Sequence, residues 1–334
     1  RTPLFTRPRT RFARAQRSFA AGYRKGRSTP IEPPAYPCSK MSDPFGFDLP
    51  GLRADEEDVA LKAPEGMCDG HVEIFGSRDK YPLDPRSDET PPEMPLDAYR
   101  EAREAEEGLR TVLVQPVAYG FDNRCLLDGL TFLGDRARAF VCVPTDVEIA
   151  ELKDLTEAGV FGARFSMLPG QALVPWDEVG RHAARLHDLV GWDVSLRMPG
   201  RDLHEVERRI MEWPGRVIVE HGGLFESGTS AREPGFKALL RLIDRDKAWV
   251  KISAPYEMSK AGPPDYQDVA DRARNLIDWA PERLIWGSDW PHVGQLDDPP
   301  TFSDLLQVML DWCQGDEAVW RRILVDNPGE LFRF

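Results

Sequence analysis

From residue 67 onward, apolar runs of strand length alternate with stretches of helical period. The runs are "MCDGHVEIF", "TVLVQPV", "RAFVCVP", "GVFGARFSM", "DVSLRM", "RVIVEHG", "AWVKISA" and "RLIWGSDW". Each is short, rich in β-branched or apolar residues, and bounded by Gly, Pro or Asp, which predicts strands. Their near-continuous hydrophobicity predicts parallel strands covered on both faces. Between them, Trp176, Val179, Ala183, Leu186 and Val190 fall three or four apart, as do Leu203, Val206, Ile210 and Trp213. That spacing predicts amphipathic helices. Eight such units predict a single α/β domain, a (β/α)8 TIM barrel. A doubly wound open sheet is the structural rival, but the Gly-rich dinucleotide fingerprint is missing after the first strand.

Loop lengths supply an independent check. Helix-to-strand connections are brief: "EEGLR", "LGDRA", "LVGWD", "EWPGR". Several strand-to-helix connections are long and rich in Pro and Gly, notably "GSRDKYPLDPRSDETPPEMP", "GGLFESGTSAREP", "SAPYEMSKAGPPDY" and "VGQLDDPPTF". In a barrel these emerge at the C-terminal face of the strands, where active sites are built.

Composition divides the 334 residues into three parts. Residues 1–40 carry ten Lys/Arg against one acid, Glu32, and read as a basic extension, a transit peptide or translated upstream sequence before Met41. Residues 41–65 form a lead-in, and 66–334 the barrel. Beyond residue 40 stand 33 basic and 55 acidic residues, a balance too acidic to favour nucleic acid. No run of about eighteen apolar residues is present, which excludes a membrane-spanning helix. The five cysteines are scattered with no CxxC, as expected of reduced thiols in the cytoplasm. Oligomeric state is not legible.

Candidate chemistry gathers at the strand ends: His71 and Glu73 on the first, Arg164 on the fourth, Arg197 on the fifth, His221 on the sixth and Asp289 on the eighth. Singly, each reads as a loop anchor or turn residue. Together at one end of a barrel they read as a functional cluster, because burying charge without purpose is costly. His182, His187 and His204 lie in helical stretches and are expected on solvated faces. His292 follows the eighth strand, its direction undetermined.

The stretches "DGHVEIFG", "TVLVQPVAYGFDNRCLLDGL", "GARFSML", "VIVEHGG", "WVKISAPYEMS", "RLIWGSDWPH" and "NPGELF" together resemble the amidohydrolase-related barrels of the 2-pyrone-4,6-dicarboxylate lactonase type. The resemblance runs in order over residues 66–334. It implies that Asp289 is a general base activating water, that His221 and His71 polarise a lactone carbonyl, and that Arg164 binds a substrate carboxylate. Arg197, Arg78, Tyr256, Glu73 and Glu257 become further candidates for substrate contact. Metal-dependent members of the wider superfamily place His-x-His on strand one and ligands on strands four and five. Here Glu73 replaces the second His, and Arg164 and Arg197 have no lone pair to give a metal. No cofactor is therefore expected; the alternative is one divalent ion such as Zn on His71, Glu73, His221 and Asp289.

The expected function is a hydrolase that opens a small, carboxylated lactone or related cyclic ester by metal-independent water attack. Its small-molecule substrate is met without nucleic acid or membrane. The rivals are a metal-dependent amidohydrolase or decarboxylase and a barrel that binds small acids without turning them over. A chain beginning at Met41 should melt at the same temperature as the full sequence in a thermal scan; a large loss of stability would make residues 1–40 part of the fold.

Overall fold

The structure is a computed structural model that describes residues 61–103 and 108–334. Residues 1–40 and most of the 41–65 lead-in lie outside the described residues. The rest is the expected barrel. Eight parallel strands follow one another in chain order: β1 (Cys68–Val72), β2 (Arg110–Val114), β3 (Ala137–Val141), β4 (Val160–Ser166), β5 (Asp193–Arg197), β6 (Val217–Val219), β7 (Ala248–Ile252) and β8 (Leu284–Trp286). Helices α1 (Leu96–Ala102), α2 (Arg124–Leu133), α3 (Ile149–Glu157), α4 (Trp176–Val190), α5 (Leu203–Glu212) and α6 (Pro234–Asp244) follow the first six strands. A one-turn helix α7 (Pro255–Met258) and then α8 (Gln267–Trp279) follow β7, and α9 (Phe302–Trp312) follows β8. No described helix is long and apolar enough to cross a membrane.

The helices form where the apolar period predicts. In α4, Val179, Ala183 and Leu186 are buried against the sheet, and Gly191 ends the helix in the left-handed conformation. His182 belongs to that buried face, with Nε2 3.1 Å from the Val143 carbonyl, so the solvated position expected for it is wrong. A helix period carries both residue types, and His182 falls on the apolar side of it. His187 is half-buried, and only His204 is exposed.

Strand alternation sorts side chains into two cores. Leu113, Val141, Phe165, Leu196, Val219, Val250 and Trp286 face the helices. Val112, Val114, Phe140, Ile218, Trp249 and Ile285 face the barrel axis, where Leu331 and Phe332 of the C-terminal helix (Asn327–Phe332) join them. The inner face is not apolar throughout. Toward the strand C-termini it carries Arg164, Ser195, Arg197, Glu220 and Lys251, so continuous hydrophobicity holds for only part of β4, β5 and β7.

Closure between β1 and β8 is narrow. One parallel bridge joins Val72 to Trp290, with Asp289 N donating to the His71 carbonyl at 3.0 Å and Glu73 N to the Trp290 carbonyl at 2.8 Å. Two glycines permit this approach. A Cβ on Gly70 would lie 2.5 Å from the Trp286 carbonyl oxygen, and one on Gly287 would lie 2.7 Å from His71 N. Asp69 then clamps the seam, accepting from Ser288 N at 2.8 Å, Ser288 Oγ at 2.6 Å and Tyr99 Oη at 3.1 Å.

Phe332 is fully buried at the N-terminal end of the barrel, edge-on to Phe140 and Phe161. Phe332→Ala should lower unfolding stability by about 3–5 kcal/mol in urea titration, with the turnover of the remaining folded protein unchanged.

Candidate active site

At the C-terminal end of the strands, register sets the site. Arg164 on β4 pairs across to Ser195 on β5, and Ser166 to Arg197, so both arginines point to the axis in successive layers. His71 enters from β1, and Glu73 follows on the same face, its Oε1 4.0 Å from His71 Nε2. His221 and Asp289 come from the turns after β6 and β8, each in the left-handed region, with φ of 51° and 64°. Non-glycine residues held there are strained, a feature that clusters at functional sites. Those turns swing both side chains inward.

Asp289 sits at the centre. Its Oδ1 is 3.4 Å from His71 Nε2 and 3.8 Å from His221 Nε2, and its Oδ2 accepts from the Tyr256 hydroxyl at 2.6 Å. The two imidazoles stack at a tilt with centroids 4.7 Å apart. Burial, then the nearby Glu257 and Glu73 carboxylates, push the Asp289 carboxyl well above its ordinary range. Burial lowers both histidines, His221 to about 4 and His71 well below its usual value, so both rings are neutral at neutral pH. Tyr256 also touches His292 Nδ1 at 3.1 Å, which places His292 behind the tyrosine rather than at the reacting groups.

The arginines are engaged. Arg164 donates from Nε and Nη2 to the two oxygens of Glu220 at 3.2 and 3.0 Å, and from Nη1 to Glu73 Oε1 at 2.5 Å and the Gln115 carbonyl at 2.8 Å. This is a buried ion-pair network, unlike the free carboxylate anchor that the resemblance implies. Burial alone would raise the Glu220 carboxyl, yet Arg164 and Lys251 hold it well below the usual carboxylate range. Arg197 grips both oxygens of Glu257 at 2.6 and 2.7 Å. Arg78 lies apart, donating to the Pro91 carbonyl within the loop after β1; its backbone N–H also bonds Glu93. It braces that loop.

Sequence reading missed Glu220, Lys251, Ser195 and Ser253. Lys251 is fully buried on β7, its Nζ 3.2 Å from His71 Nδ1, and burial lowers it to about 8. Ser253 Oγ meets His221 Nδ1 at 2.9 Å, and Ser195 donates to Glu220 at 2.6 Å. A signal was present. Glu220 stands two residues after inward Ile218, and Lys251 two after inward Trp249.

His71, His221 and Asp289 place one ligand atom each within 4.8 Å of one another, a spacing compatible with a divalent ion. Lys251 bears on that fit. An ammonium has three donors and no acceptor, so Lys251 makes His71 Nδ1 the acceptor and leaves the proton on Nε2, the atom facing Asp289. A protonated nitrogen cannot ligate, and two guanidiniums nearby add repulsion.

The family model described as Amidohydrolase matches residues 68–334. The chain is 33% identical over 276 residues to a 4-sulfomuconolactone hydrolase of Hydrogenophaga intermedia, covering 80% of this chain and 89% of that protein. It is 30% identical over 281 residues to a 2-pyrone-4,6-dicarboxylate hydrolase of Comamonas testosteroni, covering 81% and 92%. A solved Agrobacterium tumefaciens structure without ligand superposes with a TM-score of 0.72 at 31% identity, covering 81% of this chain and 97% of that one.

Arg164→Met leaves Glu220 buried without its cation, and unfolding stability should fall by about 3–5 kcal/mol. Adding Glu220→Gln should restore part of that loss in urea titration; additive losses would mean that the pair carries no coupling.

Proposed function

The chain belongs to the amidohydrolase family, and on that premise we propose that it hydrolyses the ester bond of a small lactone by direct attack of water, without a metal ion. The observation that carries the reading is the Asp289 carboxyl, held between two neutral imidazoles at the barrel mouth. Similarity to a sulfomuconolactone hydrolase and a pyrone-dicarboxylate hydrolase supports the substrate class.

In this reading Asp289, when ionised, takes a proton from water as the oxygen attacks the lactone carbonyl carbon. A base raised toward the working pH is well matched to that task. His71 presents its Nε2–H, fixed by Lys251 on the other nitrogen, to the oxygen that gains negative charge. His221 acts beside it, because the Ser253 hydroxyl can donate to Nδ1 and leave the proton on Nε2. Fixed donors in a site shielded from water stabilise the tetrahedral oxyanion without reorganising. Collapse breaks the ring C–O bond, and the departing alkoxide takes the proton from Asp289, giving the open hydroxy acid. Tyr256 orients the carboxyl from its far side. Four described cysteines, all free and buried, support placing this chemistry in the cytoplasm.

A metal-dependent hydrolase is the second reading, favoured by the spacing of His71, His221 and Asp289. Metal analysis separates the two: stoichiometric metal that is lost on Asp289→Asn would replace the direct mechanism.

Asp289→Asn keeps the shape but removes the base, so kcat should fall by about 10²–10⁴-fold with KM largely kept and chelators without effect. The sign of the pH dependence follows from the shifts. Activity needs ionised Asp289, whose pKa is raised, so the rate should climb through a pH above the ordinary carboxylate range. It should decline again above about 8 as Lys251 loses its proton. A profile flat from pH 4 to 9 would count against both assignments.

A further inference from the structure

The cations at the mouth are already matched by carboxylates of the chain itself. Arg164 is shared between Glu220 and Glu73, and Arg197 is closed by both oxygens of Glu257. Lys251 faces His71 and lies in the field of Glu220. Three carboxylates thus balance three cations before Asp289 is counted, and Asp289 must itself be negative to act as base. An acidic group brought to this centre would meet Glu73 and Glu257 in the places where it would need an uncommitted guanidinium. Like charges brought together in a shielded site are strongly rejected.

The surroundings carry the same sign. A cavity of about 310 Å³ between the loops after β1 and β4 is lined by Asp84, Asp88 and Glu89, and its arginine, Arg86, is bonded to Asp84. Gln171 lines both this cavity and a smaller one that reaches Arg164, and it bonds Glu89 and Ser166. An acidic approach slows the arrival of anions. Hydrogen-bond donors remain for recognition: the Arg197 Nε–H is buried with no hydrogen-bond partner among the described residues.

We propose that the substrate is an uncharged lactone, recognised through hydroxyl or carbonyl groups, in contrast to the acidic compounds in the names of both hydrolase relatives. The proposal rests on the lactonase reading above.

The test compares γ-butyrolactone bearing a hydroxymethyl group with its counterpart bearing a carboxylate. Wild-type kcat/KM should be at least about tenfold higher for the neutral compound. Glu257→Gln, which releases Arg197, should raise kcat/KM for the carboxylate and narrow that ratio. A wild-type preference for the carboxylate, or a Glu257→Gln change in the opposite direction, would overturn the uncharged substrate and leave lactone hydrolysis standing. Hydrolysis of neither compound would overturn the lactonase reading instead. Calorimetric titration of Asp289→Asn with each intact lactone then decides the charge question by itself: tighter neutral binding supports the proposal, and tighter carboxylate binding ends it.

Discussion

The joint between β1 and β8 governs both the fold and the chemistry. Every other neighbouring pair of strands shares a ladder, whereas this one rests on a single bridge and a few flanking hydrogen bonds. Asp69 compensates by collecting donors from Ser288 and Tyr99, and Gly70 and Gly287 let the two backbones touch. His71 and Asp289 are backbone partners across the joint and side-chain neighbours above it. Their mutual distance is therefore set by main-chain geometry, the most rigid means a protein has of holding two side chains together.

Beneath that pair, the barrel carries charge where barrels usually carry branched aliphatics. Buried ions are tolerated only when matched and hydrogen-bonded. Arg164 meets that condition with Glu220, Glu73 and a backbone carbonyl, and Ser195 satisfies a further lone pair of Glu220. The network keeps the carboxylate of Glu220 ionised, while burial keeps the histidines neutral. Lys251 extends the same field upward, converting a charge on β7 into a defined proton position on His71.

Much of this was legible in the chain. Eight apolar runs located all eight strands, and the long strand-to-helix loops identified the working face, because both signals are local. His71, His221 and Asp289 were found since a polar residue at a strand end stands out. Partners were harder. Arg164 and Glu220 lie 56 residues apart, so sequence offers two isolated charges and no sign that they cancel. Lys251 was hidden by its apolar neighbours in "AWVKISA", although strand alternation alone assigns it to the axis with Trp249. His182 was misplaced for the converse reason: polarity suggested solvent, while its position in the helix period pointed inward.

The joint between the first and last strands also has a consequence for synthesis. Ser288 and Asp69 are separated by 219 residues, and the plug residue Phe332 follows later still. A ribosome delivers β1 long before β8, so the growing polypeptide holds an open arc whose charged concave side awaits its final stave. Contacts of such long sequence separation form late. The site is thus complete only when residues 284–334 have docked, and a truncated product released early would carry every strand up to β7 yet no Asp289.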